Sequence, residues 1–169
     1  MSERSYALLE DRGFIAVEGE DAHSFLQGLI SNDVEKAGAG RAIHAAFLTP
    51  QGKYLHDFFV VQMEDALYLD CEAARLDDLK RRLSMCRLRA KVTLDDASGA
   101  FAAAALFGEN AGAAFGFSAE PGTVLAFAGG VIYVDPRLAA AGARAVLPAA
   151  AARQVLADTG FEDAGLETA

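Results

Sequence analysis

Apolar residues recur along the chain with two different periods, and the switch between them lays out an α+β order of elements. Phe14-Ile15-Ala16-Val17 lies between Gly13 and Gly19 and predicts a strand followed by a turn. Asp21 then stands where a helix cap belongs. Phe25, Leu26, Leu29 and Ile30 follow at helical spacing, and the predicted helix ends near Ser31-Asn32-Asp33. Residues 41–49 and 54–63 are rich in aromatic, β-branched and other apolar side chains, and Pro50-Gln51-Gly52-Lys53 between them predicts a β-hairpin. A second turn at Glu64-Asp65 leads into Leu67-Tyr68-Leu69. Leu76, Leu79, Leu83 and Cys86 then mark one helix face, and residues 88–94 alternate as a half-buried strand does. The result is a β-β-β-α-β unit over residues 41–97.

Beyond Gly99 the chain turns alanine-rich, and propensity says least there. Residues 124–127 and 131–134 predict strands around the Gly129-Gly130 turn. Pro148 followed by residues 149–157 predicts a helix with proline at its start and Gly160 past its end. The tail from Phe161 has no periodicity.

Composition narrows the function. With 53% hydrophobic and 23% charged residues the chain is of globular type, and 169 residues suffice for a real core. A net charge of −9 argues against a general nucleic-acid binder. Within that acidic chain residues 75–91 carry +5, so Arg81, Arg82 and Arg89 offer a local patch for an acidic partner, a polyglutamate tail or RNA, or else a solvated helix face. Residues 1–12 lack the apolar core of a signal peptide, and no apolar stretch reaches the ~20 residues of a membrane-spanning helix. The expectation is a cytoplasmic protein with no membrane partner. Cys71 and Cys86 are too few for a disulfide scaffold and are expected to be buried thiols. His23, His44 and His56 lack metal-site spacing, so no metal is expected.

One region carries more specific information. The ordered set Gly19-Glu20-Asp21-Ala22-His23-Ser24-Phe25-Leu26-Gln27-Gly28-Leu29, Ser31-Asn32-Asp33-Val34 and Leu48-Thr49-Pro50-Gln51-Gly52-Lys53, with Asp57 four residues on, resembles the folate-binding proteins of the YgfZ type, relatives of the glycine cleavage T-protein (aminomethyltransferase). The likeness continues through Leu88-Arg89-Ala90-Lys91-Val92 and more weakly to Asp135-Pro136-Arg137-Leu138. It implies a T-protein/YgfZ-like α+β fold: a body from residues 1–40 and 98–169, an inserted ferredoxin-like lobe over 41–97, and a C-terminal barrel that these residues would not include.

It also implies a tetrahydrofolate site and a role in assembling or repairing iron–sulfur proteins, with an indirect effect on tRNA modification. Asp57 is then the tentative catalytic carboxylate, able to accept a proton from a folate amine or to stabilise positive charge there. Asn32 and Asp33 line the pocket or merely end the helix. Thr49, Gln51, Lys53 and Tyr54 stand at the hairpin turn, where polar atoms stay free for a ligand. Phe47 and Leu48 stack on the cofactor ring or belong to the core. Two departures temper the likeness. The T-protein has two adjacent aspartates where this chain has His56-Asp57, and the YgfZ lysine-glycine-cysteine signature with its glycine-glutamine does not occur here. Aminomethyl transfer, and a fragment that binds nothing without a C-terminal partner, remain the alternatives.

Overall fold

The computed structural model describes residues 4–37, 41–107, 120–137 and 142–164. Its contacts divide the chain into two units, Met1–Glu10 with Gly99–Ala169, and Asp11–Ser98. Strand β1 (Ser5–Leu8) belongs to the first unit, and β2 (Arg12–Glu18) opens the second.

In the 11–98 unit β2 is followed by a short helix α1 (Ala22–Gln27), strands β3 (Ile43–Leu48), β4 (Tyr54–Met63) and β5 (Ala66–Glu72), helix α2 (Leu76–Cys86), and β6 (Thr93–Asp96). The sheet runs in the order β3-β4-β5-β2-β6, every neighbour antiparallel. Strand β2 is paired on both edges, and five of its seven residues are buried in one run rather than alternating, so both of its faces are covered. Residues 11–37 therefore pack with this unit and not with the rest of the predicted body, and the β-β-β-α-β lobe is completed by a strand from outside it. On one face of the sheet Ile15, Val17, Phe58, Val60 and Leu69 meet Leu26 of α1 and Leu76, Leu79 and Leu83 of α2 in a single core. The three leucines recur at helical spacing, so one stripe of α2 is covered.

Local details depart from expectation. Helix α1 stops at Gln27, and the Asp21 carboxylate accepts the Lys91 backbone N–H (2.8 Å) instead of capping the helix. Residues 88–92 form a turn, with Leu88 in the left-handed region (φ 45°), and the strand begins only at Thr93. Cys86 lies on the exposed side of the last turn of α2, so only Cys71 is a buried thiol.

The other unit adds β7 (Phe101–Phe107), β8 (Val124–Phe127), β9 (Gly130–Val134), β10 (Ala143–Pro148), α3 (Ala152–Asp158) and β11 (Glu162–Asp163). Its sheet order is β11-β1-β7-β10-β9-β8. Tyr6, Leu106, Ile132 and Leu147 pack with Leu156 of α3 and with Phe161. At Gly130 a Cβ would sit 1.9 Å from the Val146 carbonyl oxygen, so the β9–β10 pair closes only around glycine. Pro148 ends β10 rather than starting the helix, and the aperiodic tail supplies β11, which pairs parallel with β1. Asp135 is buried, and its carboxylate accepts hydrogen bonds from the Arg137 backbone N–H (2.9 Å), Nε (3.0 Å) and Nη2 (2.6 Å). Leu138 lies outside the described residues.

Candidate functional site

The turn at residues 49–53 is closed by its own chain. Thr49 N–H donates to the Lys53 carbonyl (2.8 Å), Lys53 N–H donates to Thr49 Oγ1 (3.0 Å), and Gly52 takes the positive φ of 86° that the reversal requires. Gln51 and Lys53 are exposed at its tip. A bulge follows, where the register jumps from Phe47↔His56 to Leu48↔Tyr54 and leaves Leu55 without an opposite residue.

From His56 onward the pleat separates neighbours. His56 turns to the helix-covered face, 2% exposed, with Nε2 2.8 Å from Asp78 Oδ2 of α2. Asp57 therefore turns to the opposite face. There its Oδ2 is 3.5 Å from His44 Nε2, its carboxylate is 40% exposed, and it accepts a hydrogen bond from the Tyr54 hydroxyl. Partial burial, then the Asp57 charge, raise the Tyr54 phenol above its ordinary pKa. Deeper on this face the His44 ring stands edge-on to Phe59 (5.1 Å), and Arg12 donates to Asp70 through Nε (2.7 Å) with its guanidinium over the Phe59 ring.

A cavity of about 470 Å³ lies elsewhere in the same unit. Residues 28–31 after α1 form one wall, residues 47–50 and Leu55 a second, and Arg82, Met85 and Cys86 of α2 the third. The predicted site residues thus divide. Phe47, Leu48, Thr49 and Arg82 line the cavity, although Phe47 also belongs to the core. Tyr54 and Asp57 form the separate group with His44. Asn32 and Asp33 serve the chain: Asn32 Nδ2 donates to the His44 carbonyl (3.1 Å), and Asp33 Oδ1 accepts the Glu35 N–H (3.0 Å) at the start of a short 3₁₀ turn. Arg81 and Arg89 are exposed, with Arg81 donating to Asp78 (2.7 Å). Sequence reasoning missed His44, Ser31, Met85 and Cys86. Antiparallel pairing of Ala46 with Asp57, which brings His44 to the same face, was the signal available for the first. Among the described residues no group of three His, Cys, Asp or Glu side chains is placed to hold a metal ion.

Comparison with known proteins decides the family. Residues 10–116 match the model of the GCVT N-terminal domain. The chain belongs to that family. Among solved structures, the GCVT-domain fold seen here resembles the glycine cleavage aminomethyltransferase T of Bartonella henselae, with a TM-score of 0.73 at 18% identity over 96% of this chain and 48% of that one. It also resembles the heterotetrameric sarcosine oxidase of Corynebacterium sp. U-96, with a TM-score of 0.61 at 13% identity over 94% and 84%. These likenesses establish the α+β aminomethyltransferase fold. Curated relatives of this GCVT-domain chain include the mitochondrial iron–sulfur cluster assembly factor IBA57 of Mus musculus, 32% identical over 52% of this chain and 28% of that protein. The IBA57 homolog of Mycosarcoma maydis is 30% identical over 95% of this chain and 40% of that protein. The chain spans well under half the length of these relatives. Their names place them in mitochondria, which overturns the expectation of a cytoplasmic protein drawn from residues 1–12.

Proposed function

We propose that this GCVT-domain chain acts in iron–sulfur cluster protein assembly or repair and holds a reduced folate against Asp57. The observation that carries the folate half is the trio of Asp57, Tyr54 and His44 on the face of the sheet away from the helices. A carboxylate 40% exposed keeps lone pairs for a ligand N–H, and Tyr54 and His44 hold it in place. A reduced folate would supply an amine nitrogen and a flat ring. Asp57 would orient that nitrogen by accepting its hydrogen, and the exposed Tyr54 ring offers apolar area beside it. The assembly half rests on the relatives named above. An effect on tRNA modification would then be indirect, through iron–sulfur enzymes that act on tRNA.

Aminomethyl transfer is disfavoured by His56. That residue replaces one carboxylate of the T-protein pair and is committed to Asp78 on the other side of the sheet, so position 56 supplies no second acid beside Asp57. Isothermal titration with tetrahydrofolate tests the folate half: wild-type chain binds, and Asp57→Asn weakens binding at least about tenfold. Equal affinity in the two proteins refutes it. For the assembly half, mitochondrially directed chain restores iron–sulfur enzyme activity in mouse cells lacking IBA57, and no restoration at matched expression counts against it.

A further inference from the structure

The cavity between the end of α1, the β3 turn and α2 has no part in the proposal above, and its chemistry is one-sided. Its body is apolar, built from Leu29, Ile30, Phe47, Leu48, Leu55 and Met85. Its polar side chains all have a donor to offer. Ser31 Oγ already accepts the Ala46 N–H (2.9 Å) and Thr49 Oγ1 the Lys53 N–H (3.0 Å), which leaves each hydroxyl hydrogen to give. Arg82 binds Asp78 through Nε (2.8 Å), so its guanidinium is fixed in place while its Nη groups stay available. The charge is one-sided as well. Arg81 and Arg82 share the Asp78 carboxylate, which therefore does not neutralise both, and the segment around them carries net +5. At about 470 Å³ the space falls within the ~300–1,000 Å³ typical of small-molecule sites.

We infer that this cavity is a binding site for an amphipathic monocarboxylate, its apolar body against Leu29, Phe47 and Leu48 and its carboxylate on Arg82 and the Ser31 and Thr49 hydroxyls. No carboxylate stands among the described lining side chains, which selects an anion over a cation, and the apolar walls select a hydrocarbon body over a small polar acid. The site is independent of Asp57, which lies on the other face of the sheet.

Titration calorimetry with sodium decanoate, 1-decanol and decyltrimethylammonium, each below its aggregation threshold, provides the test. Decanoate binds one per chain. Decanol binds at least about tenfold more weakly, since it lacks the charge, and the cation does not bind. Arg82→Gln lowers decanoate affinity about tenfold, while Arg82→Lys retains most of it. Gly28→Leu abolishes binding. Gly28 lines the cavity, an added Cβ comes no nearer than 3.8 Å to the carbonyl oxygens of the preceding turn, and the backbone is ordinary (φ −78°), so the variant should occupy part of the space and keep the wild-type melting temperature. Asp57→Asn leaves decanoate affinity unchanged, which keeps this test apart from the folate one. The inference is overturned if decanol binds as tightly as decanoate, if binding survives in folded Gly28→Leu, or if millimolar decanoate gives no saturable heat.

Discussion

Leu79 is the middle of the three leucines that seat α2 on its sheet, and it has no exposure at all. Replacing it with alanine removes three carbons from a site walled on every side, so both the lost transfer energy and the void count against the fold. Substitutions of this kind cost about 2–5 kcal/mol. At about 1.4 kcal/mol per factor of ten, the most protected amides of β4 and β5 should exchange roughly 30-fold to several thousand-fold faster with deuterium. Hydrogen exchange read by mass spectrometry resolves this strand by strand. Met85→Ala on the same helix is the control: that side chain is 60% exposed, and removing it should change exchange by less than about threefold. If Leu79→Ala accelerates the β4 amides by less than about fivefold, α2 does not hold the sheet in the way its packing implies.

The two thiols should separate by reactivity. Burial pushes the Cys71 thiol up to about 12, whereas Cys86 is exposed, so Ellman's reagent should titrate one thiol in the native chain and two only in denaturant. Two rapid equivalents in the native state would contradict the packing of Cys71. Asp135 should leave a mark on acid stability. Burial alone would raise its pKa, but the Arg137 hydrogen bonds and charge outweigh that and hold the carboxyl below the ordinary value of about 3.9. Its contribution is therefore fully present above that ordinary value and is lost as pH falls through the lower folded one. The urea-midpoint gap between wild type and Asp135→Asn should stay open from pH 5 to 8 and close toward pH 2; a gap that is widest in acid would reverse the assignment. Gly130→Ala should lower stability by about 1–3 kcal/mol or more, seen in the melting temperature, because its Cβ would overlap the Val146 carbonyl. A neutral substitution there would mean the β9–β10 pair is not as close as described.

The parts of the fold legible in the sequence are those where periodicity and turn chemistry agree. The β3–β4 hairpin around residues 50–53, the β8–β9 hairpin and the leucine stripe of α2 are of this kind. Strand β7 was not legible, because a segment reading Phe-Ala-Ala-Ala-Ala-Leu-Phe carries a helical propensity that pairing with β1 and β10 overrides. Cys86 was misplaced because helical spacing from Leu83 says which side of a helix a residue takes, but not where the covering sheet stops. The candidate site divided for a similar reason. Phe47, read as either ring-stacking or core, and Asp57, read as facing the ligand, part company because Phe47 lies opposite His56 in the ladder and the residue after His56 must turn the other way. Strand alternation already contains that separation.

Strand β1 pairs with β7, about a hundred positions later, and with β11 near the end of the described chain. Because the chain emerges from the ribosome N-terminal side first, β1 has no ladder to join until residue 107 has emerged, whereas the sheet of residues 11–98 is complete by Asp96. Pairing of β1 is therefore expected to come after the inner sheet, since contacts distant in sequence form late and leave unpaired edges exposed meanwhile. A chain cut between Asp96 and Phe107 would carry every strand of the inner unit and an orphaned β1.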